Sequence, residues 1–131
     1  MRLVIDTHAL LWFCEGNPAL SANALAAMTD RSNELYVSHA TAWEVAIKLC
    51  LGKIKLEAGY EVIFQRVLEE NGFMLLPPSV EHYLALIPLP RHHGDPFDRL
   101  IIAQAQVEGL TVMISDGEFP AYGVRRVGTP A

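Results

Sequence analysis

The 131 residues are 51% hydrophobic and 19% charged, with a net charge of −5. That length supports one core (residues 1–131 as a single domain), the composition excludes the disordered class, and no apolar run approaches the roughly 18 residues of a membrane span. The acidic balance argues against a nucleic-acid partner on charge alone, although a carboxylate site balanced by bound cations leaves the same signature.

Arg2-Leu3-Val4-Ile5-Asp6 opens the chain as a short strand and meets an acid at once. It does not read as a signal peptide, and the chain is expected in the cytoplasm. A helix follows from about Thr7 to Cys14, stopped at Gly16-Asn17-Pro18. Ser21 caps an alanine-rich helix ending near Asp30. Leu35–Ser38 is a second strand, and a helix starting at Ser38 or Thr41 carries Trp43, Val45, Ala46, Ile47 and Leu49 to Gly52. The next helix runs from about Tyr60 to Glu70. Phe73–Leu76 is the third strand, ended by Pro77-Pro78, and Ser79 caps a short helix. After a loop from Pro88 to Gly94, Asp95-Pro96 has the form of a helix start, with a cap residue before a proline. That helix reaches about Glu108 and ends at Gly109. Thr111–Ile114 is the fourth strand and Val124–Val127 a candidate fifth at an edge. Strands alternating with helices predict an α/β fold: a parallel four- or five-stranded sheet in a three-layer α/β/α sandwich. Cys14 and Cys50 read as buried free thiols. Trp12, Trp43, Phe97 and Ile101, at helical spacing to apolar neighbours, read as core.

In such a sheet, ligands bind beyond the carboxyl ends of the strands, where the following helices begin. Asp6 ends the first strand and Asp116 follows the fourth, while Glu44 and Asp98 lie in the opening turns of helices. Of five aspartates, four (Asp6, Asp95, Asp98 and Asp116) map to this one edge. Crowded carboxylates repel one another unless a cation intervenes. Mg²⁺, or Mn²⁺, takes oxygen ligands and promotes phosphodiester hydrolysis by stabilising charge on the scissile phosphate.

Each acid also has a plain structural reading. Asp98 suits an N3 acid beside an Asp95 cap, which is the preferred role for Asp95 itself. Glu44 suits an i,i+4 pair with Lys48 on a solvated face, and Asp116 a turn residue. Convergence on one edge favours chemistry. His8 reads as an orienting or packing group, and His39 and His82 as structural. Arg99, Arg91 and His92 are candidate phosphate contacts.

The segments Asp6-Thr7-His8-Ala9-Leu10-Leu11-Trp12, Ala42-Trp43-Glu44-Val45-Ala46-Ile47-Lys48, Asp95-Pro96-Phe97-Asp98-Arg99-Leu100-Ile101-Ile102-Ala103-Gln104-Ala105 and Ser115-Asp116, with Phe119 and Tyr122, resemble the PIN-domain toxins of VapC type. The likeness spans nearly the whole chain in order. It implies a metal-dependent endoribonuclease, neutralised by a cognate antitoxin and commonly a homodimer. The family's acidic site carries over to Asp6, Glu44, Asp98 and Asp116, three of them (Asp6, Asp98, Asp116) expected on the metal, with Ser115 at the supporting hydroxyl. Gly94 stands where this subset of the family has a basic residue. A non-catalytic interaction module on the same fold is the alternative, marked by loss of an acid, and all four are present. A receiver domain fits poorly, because the third strand ends in Pro77-Pro78 and no lysine follows Lys55. Aspartate-nucleophile phosphatases need a second aspartate where this chain has His8.

Overall fold

The computed structural model describes residues 1–91, 94–114 and 126–128. The elements in chain order are β1 (Arg2–Ile5), α1 (Thr7–Glu15), α2 (Ala22–Thr29), β2 (Glu34–Ser38), α3 (His39–Cys50), a π-helical segment (Val62–Val67) running into α4 (Leu68–Asn71), β3 (Phe73–Leu76), α5 (Val80–Leu86), α6 (Pro96–Glu108), β4 (Thr111–Ile114) and β5 (Arg126–Gly128). The strands form one sheet in the order β3-β2-β1-β4-β5, with every pairing parallel. The expected α/β/α sandwich is therefore present with five strands, and β5 is the edge strand placed beyond β4.

The central strand sets the layers. Leu3, Val4 and Ile5 are all fully buried, as a parallel strand covered on both faces requires. Successive side chains of a strand point to opposite faces. Leu3 and Ile5 accordingly join one core with Leu10 of α1, Met28 of α2, Val45 of α3 and Phe64 of the π segment. Val4 joins the other with Leu100, Ile101 and Ile102 of α6. α6 is buried without interruption from Arg99 to Ala105. Gln104 is its buried polar member. The Ser38 hydroxyl donates to Gln104 Oε1 at 2.5 Å, and Gln104 Nε2 donates to the Leu76 carbonyl at 3.3 Å. One side chain so links the ends of β2 and β3 to α6.

The local signals act as their chemistry dictates. Ser21 accepts from Ala24 N, and Ser38, rather than Thr41, caps α3 by accepting from Ala40 N. Ser79 and His82 form a reciprocal capping box at α5, and His82 Nε2 lies 3.1 Å from Glu108, the structural role expected of this histidine. The helix expected over Tyr60–Glu70 departs from α winding in its middle. Ile63, Phe64 and Leu68 are buried together, a spacing of one and five that the wider π turn brings onto one face better than the α turn does. Tyr60, whose hydroxyl donates to the Ala42 carbonyl at 2.7 Å, ties this segment to α3.

Two packing expectations are corrected. Trp43 is 62% exposed, because the core side of α3 is taken by Ala40, Thr41, Glu44 and Val45. Its indole instead meets Phe97 edge-on at 5.2 Å. Cys50, in the last turn of α3, is exposed, while Cys14 is half-buried. Burial, and secondarily the charge of Glu15, pushes the Cys14 thiol up to about 11, so little reactive thiolate forms there at neutral pH. A thiol-disulfide reagent at pH 8 is expected to label one cysteine per chain quickly and the second only slowly, with Cys50→Ser abolishing the fast phase; equal rates would contradict this packing.

Candidate active site

Strand order places a crevice at a defined point. The chain steps from β1 to β2 and β3, then crosses back to lay β4 on the other side of β1. The sense of the crossover reverses between β1 and β4, and in open α/β sheets the carboxyl edge at such a reversal is where ligands bind. Asp6 stands there. Its backbone N–H donates to the Met113 carbonyl at 3.0 Å, extending the ladder to β4, and its Oδ1 accepts from Ala9 N at 2.8 Å as the N-cap of α1. The side chain is 2% exposed.

Glu44 reaches the same region from α3 and is 4% exposed. The Thr7 hydroxyl donates to Glu44 Oε1 at 2.8 Å and lies 3.0 Å from the Thr41 hydroxyl. A hydroxyl has one proton to give. Thr7 spends it on the carboxylate, so Thr41 is the donor between the two threonines. On the other side, Lys48 Nζ donates to Glu44 Oε2 at 2.8 Å. The i,i+4 pairing anticipated from sequence exists, but with its acid inside the protein and not on a solvated face. The Glu44 hydrogen bond raises the Lys48 pKa above its ordinary value against the opposing effect of burial, and the charges of Glu44, Asp95 and Asp98 add to the rise. Three carboxylates thus act on one ammonium.

α6 supplies the last described acids. Asp95 caps the helix, accepting from Phe97 N at 2.8 Å and Asp98 N at 3.2 Å, with Pro96 at the first helical position. Asp98 sits in that first turn, where the helix dipole favours negative charge. Ser115, Asp116 and His92 lie outside the described residues. Among the described residues no group of three or more His, Cys, Asp or Glu side chains is placed to hold a metal ion. What they do present is an all-oxygen donor set, with Asp6 and Glu44 buried and Lys48 as the cation among them. Carboxylate oxygens are the donors a hard divalent ion takes, and Asp6 and Glu44 are the two that the fold buries at this edge.

The basic candidates separate. Arg91 is exposed. Arg99 is buried, and its guanidinium donates to the carbonyls of Pro90 (2.9 Å), Leu89 (3.2 Å) and Leu86 (3.4 Å). This corrects the phosphate-contact expectation, because Arg99 clamps the chain between α5 and α6. Sequence reasoning passed over Thr7 and Thr41, and it kept Lys48 only as a surface partner. Thr41 and Lys48 were findable, lying three residues before and four after Glu44 and so on its helical face. Thr7 carried no periodic signal.

Residues 3–124 match the PIN domain family. The chain belongs to that family. This PIN domain superposes on VapBC2 of Rickettsia felis bound to a promoter DNA fragment with a TM-score of 0.71 at 12% identity, covering 96% of this chain and 97% of that one. For FitAcB of Neisseria gonorrhoeae the TM-score is 0.66 at 21% identity, covering 95% of each chain. For FitAB bound to a DNA fragment it is 0.68 at 19%, covering 95% and 92%. At these identities the likeness is one of fold. A 57-residue stretch is also 42% identical to 1-deoxy-D-xylulose 5-phosphate reductoisomerase of Xanthomonas oryzae pv. oryzae, spanning 43% of the PIN chain but only 14% of that enzyme's length.

Removing the Arg99 guanidinium strands the buried carbonyl of Leu89 and releases those of Pro90 and Leu86. Arg99→Met, which keeps the apolar stem, is expected to lower unfolding free energy by about 2–3 kcal/mol in urea titration. A loss within experimental error would mean that solvent reaches those carbonyls.

Proposed function

We propose that this PIN domain is a divalent-metal-dependent endoribonuclease, using Mg²⁺ or Mn²⁺, and that it serves in the cytoplasm as the toxin of a toxin–antitoxin pair. The observation that carries the reading is that two carboxylates, Asp6 and Glu44, are buried at the carboxyl edge beside the β1–β4 crossover, where Thr7, the residue after Asp6, donates to Glu44. Buried carboxylates surrounded by hydrogen-bond donors suit a cation site. The motif likeness to VapC-type toxins supports the toxin role. A structural neighbour in complex with promoter DNA supports an antitoxin partner that also binds DNA.

In this mechanism Asp6, Asp98 and Asp116 would hold the metal, with Ser115 supporting it. Such a cation, when bound, makes a water nucleophilic near neutral pH and offsets charge gathering on the scissile phosphate. Glu44, its carboxylate fixed by Thr7 and Lys48, orients the attacking water and accepts its proton. The water oxygen bonds to phosphorus as the bond to the leaving sugar oxygen breaks. Arg91 and His92 contact neighbouring phosphates.

Asp6→Asn is expected to abolish RNA cleavage while leaving the fold stable to within about 1 kcal/mol, because asparagine also accepts at an N-cap. The checks are gel-resolved cleavage of total RNA with Mg²⁺ or Mn²⁺, beside thermal melts. Undiminished cleavage by that variant, or by the wild type in excess EDTA, would sink the reading.

The same proposal includes a homodimer. Val80, Leu84 and Ile87 are more than half exposed along one stripe of α5 and its end, near exposed Tyr83 and Trp43. Isolated apolar residues are ordinary on a surface, but a contiguous set marks an interaction face. Sedimentation is expected to give a dimer that Leu84→Glu with Ile87→Glu converts to a folded monomer; an unchanged mass for the variant would place the interface elsewhere.

A further inference from the structure

With Arg99 committed to backbone carbonyls, the acidic pocket needs another group to receive the polyanion, and one is already inside it. Lys48 Nζ lies 2.8 Å from Glu44 Oε2, on the α3 face next to α6. The side chain is 37% exposed, so the ammonium joins the buried acid to solvent. An ammonium has three N–H donors, and among the described residues Glu44 is its hydrogen-bond partner. Arg91 is exposed and follows the carbonyl that Arg99 grips at Pro90.

We infer that Lys48 is a catalytic residue of this PIN domain, whose ammonium contacts a phosphate of single-stranded RNA at the reacting centre while its other side holds Glu44. The inference rests on the nuclease reading and adds to it the group that receives the substrate. A phosphate brought against Glu44, Asp95 and Asp98 meets like charge, and a cation fixed among them lowers that repulsion at the point of contact. Lysine suits this task as a point charge on a flexible stem, able to share its donors between a carboxylate and a phosphate oxygen. The aromatic pair beside it, Trp43 against Phe97, steadies the α3–α6 contact that brings α6 to Lys48.

The alternative is that Lys48 serves only to hold Glu44. Salt dependence of RNA binding separates the two, since a phosphate contact contributes to it and a purely structural pair does not. The probe is a labelled oligouridylate, titrated against wild type, Lys48→Arg and Lys48→Met in EDTA over a range of salt. The same proteins are then assayed for cleavage with Mg²⁺. Lys48→Met is expected to lower the log–log salt slope by about 0.7, the value for one phosphate contact on a single strand, and to reduce kcat by roughly 10- to 100-fold. Lys48→Arg should keep the slope and recover part of the rate. Because removing Lys48 leaves Glu44 buried without its cation, the slope is also compared between Glu44→Gln and Glu44→Gln with Lys48→Met, where no charge is stranded and the same drop is expected. An unchanged slope in both comparisons overturns the phosphate contact even if cleavage falls. Wild-type cleavage undisturbed by Lys48→Met overturns the catalytic role and leaves the nuclease reading standing. A wild type that binds the probe with a Lys48-dependent slope but never cleaves removes the nuclease reading while the contact survives; one that neither binds nor cleaves ends both.

Discussion

A carboxylate inside a protein needs other groups to replace the water it has lost, and Glu44 has hydrogen-bond donors on two sides. The Thr7 hydroxyl comes from the turn that follows β1, and the Lys48 ammonium from one turn further along Glu44's own helix. The first bond ties α3 to the end of the central strand; the second compensates the charge. Breaking either leaves a buried acid short of a partner, which is costlier than the net worth of the bond itself. The site's geometry follows from this anchoring. Asp6 is fixed by the sheet through its backbone and by α1 through its cap, so Thr7, the next residue, cannot move without disturbing both.

The apolar framework makes that polar corner possible. β1 is buried on both faces, α6 is buried over seven successive residues, and Gln104 is a fully buried polar side chain among them. Its amide satisfies the Ser38 hydroxyl and the Leu76 carbonyl, both at the carboxyl edge of the sheet. The bonds on either flank of the crevice are therefore of one kind, side chains from helices meeting strand ends. Arg99 extends the pattern by holding the chain that leads into α6. None of the described buried side-chain nitrogen or oxygen atoms lacks a partner, the condition under which polar groups specify a structure rather than weaken it.

Much of this was legible in the sequence. The strand–helix alternation, the Asp95-Pro96 start and the glycine stops report local chemistry, and they placed every described element to within a few residues. Placing Asp6 at the end of β1 and Asp98 in the first turn of α6 needed only the parallel-sheet rule and the Asp-Pro start; Asp116 lies outside the described residues. What could not be read depends on which face of a helix meets which neighbour. Trp43 and Cys50 have apolar surroundings in sequence yet point away from the core, because α3 buries its small and polar residues instead. Arg99 looks like a surface cation until the carbonyls of a non-local loop come round it. The π winding answers to the buried trio Ile63, Phe64 and Leu68, a tertiary demand that a helical period does not express.

The parallel topology also bears on the order in which the molecule is completed. Leu3 pairs with Thr111 and Ile5 with Met113, so β1 keeps an open side until β4, more than a hundred residues later, arrives. β1, β2 and β3 can associate as they emerge, but closing the longest loop comes late and is the slow kind of contact to form. Asp6 and Glu44 are in place during that interval, while the acids of α6 and those beyond β4 are not. The acidic edge is therefore assembled in two stages, its halves brought together only by the long-range β1–β4 pairing.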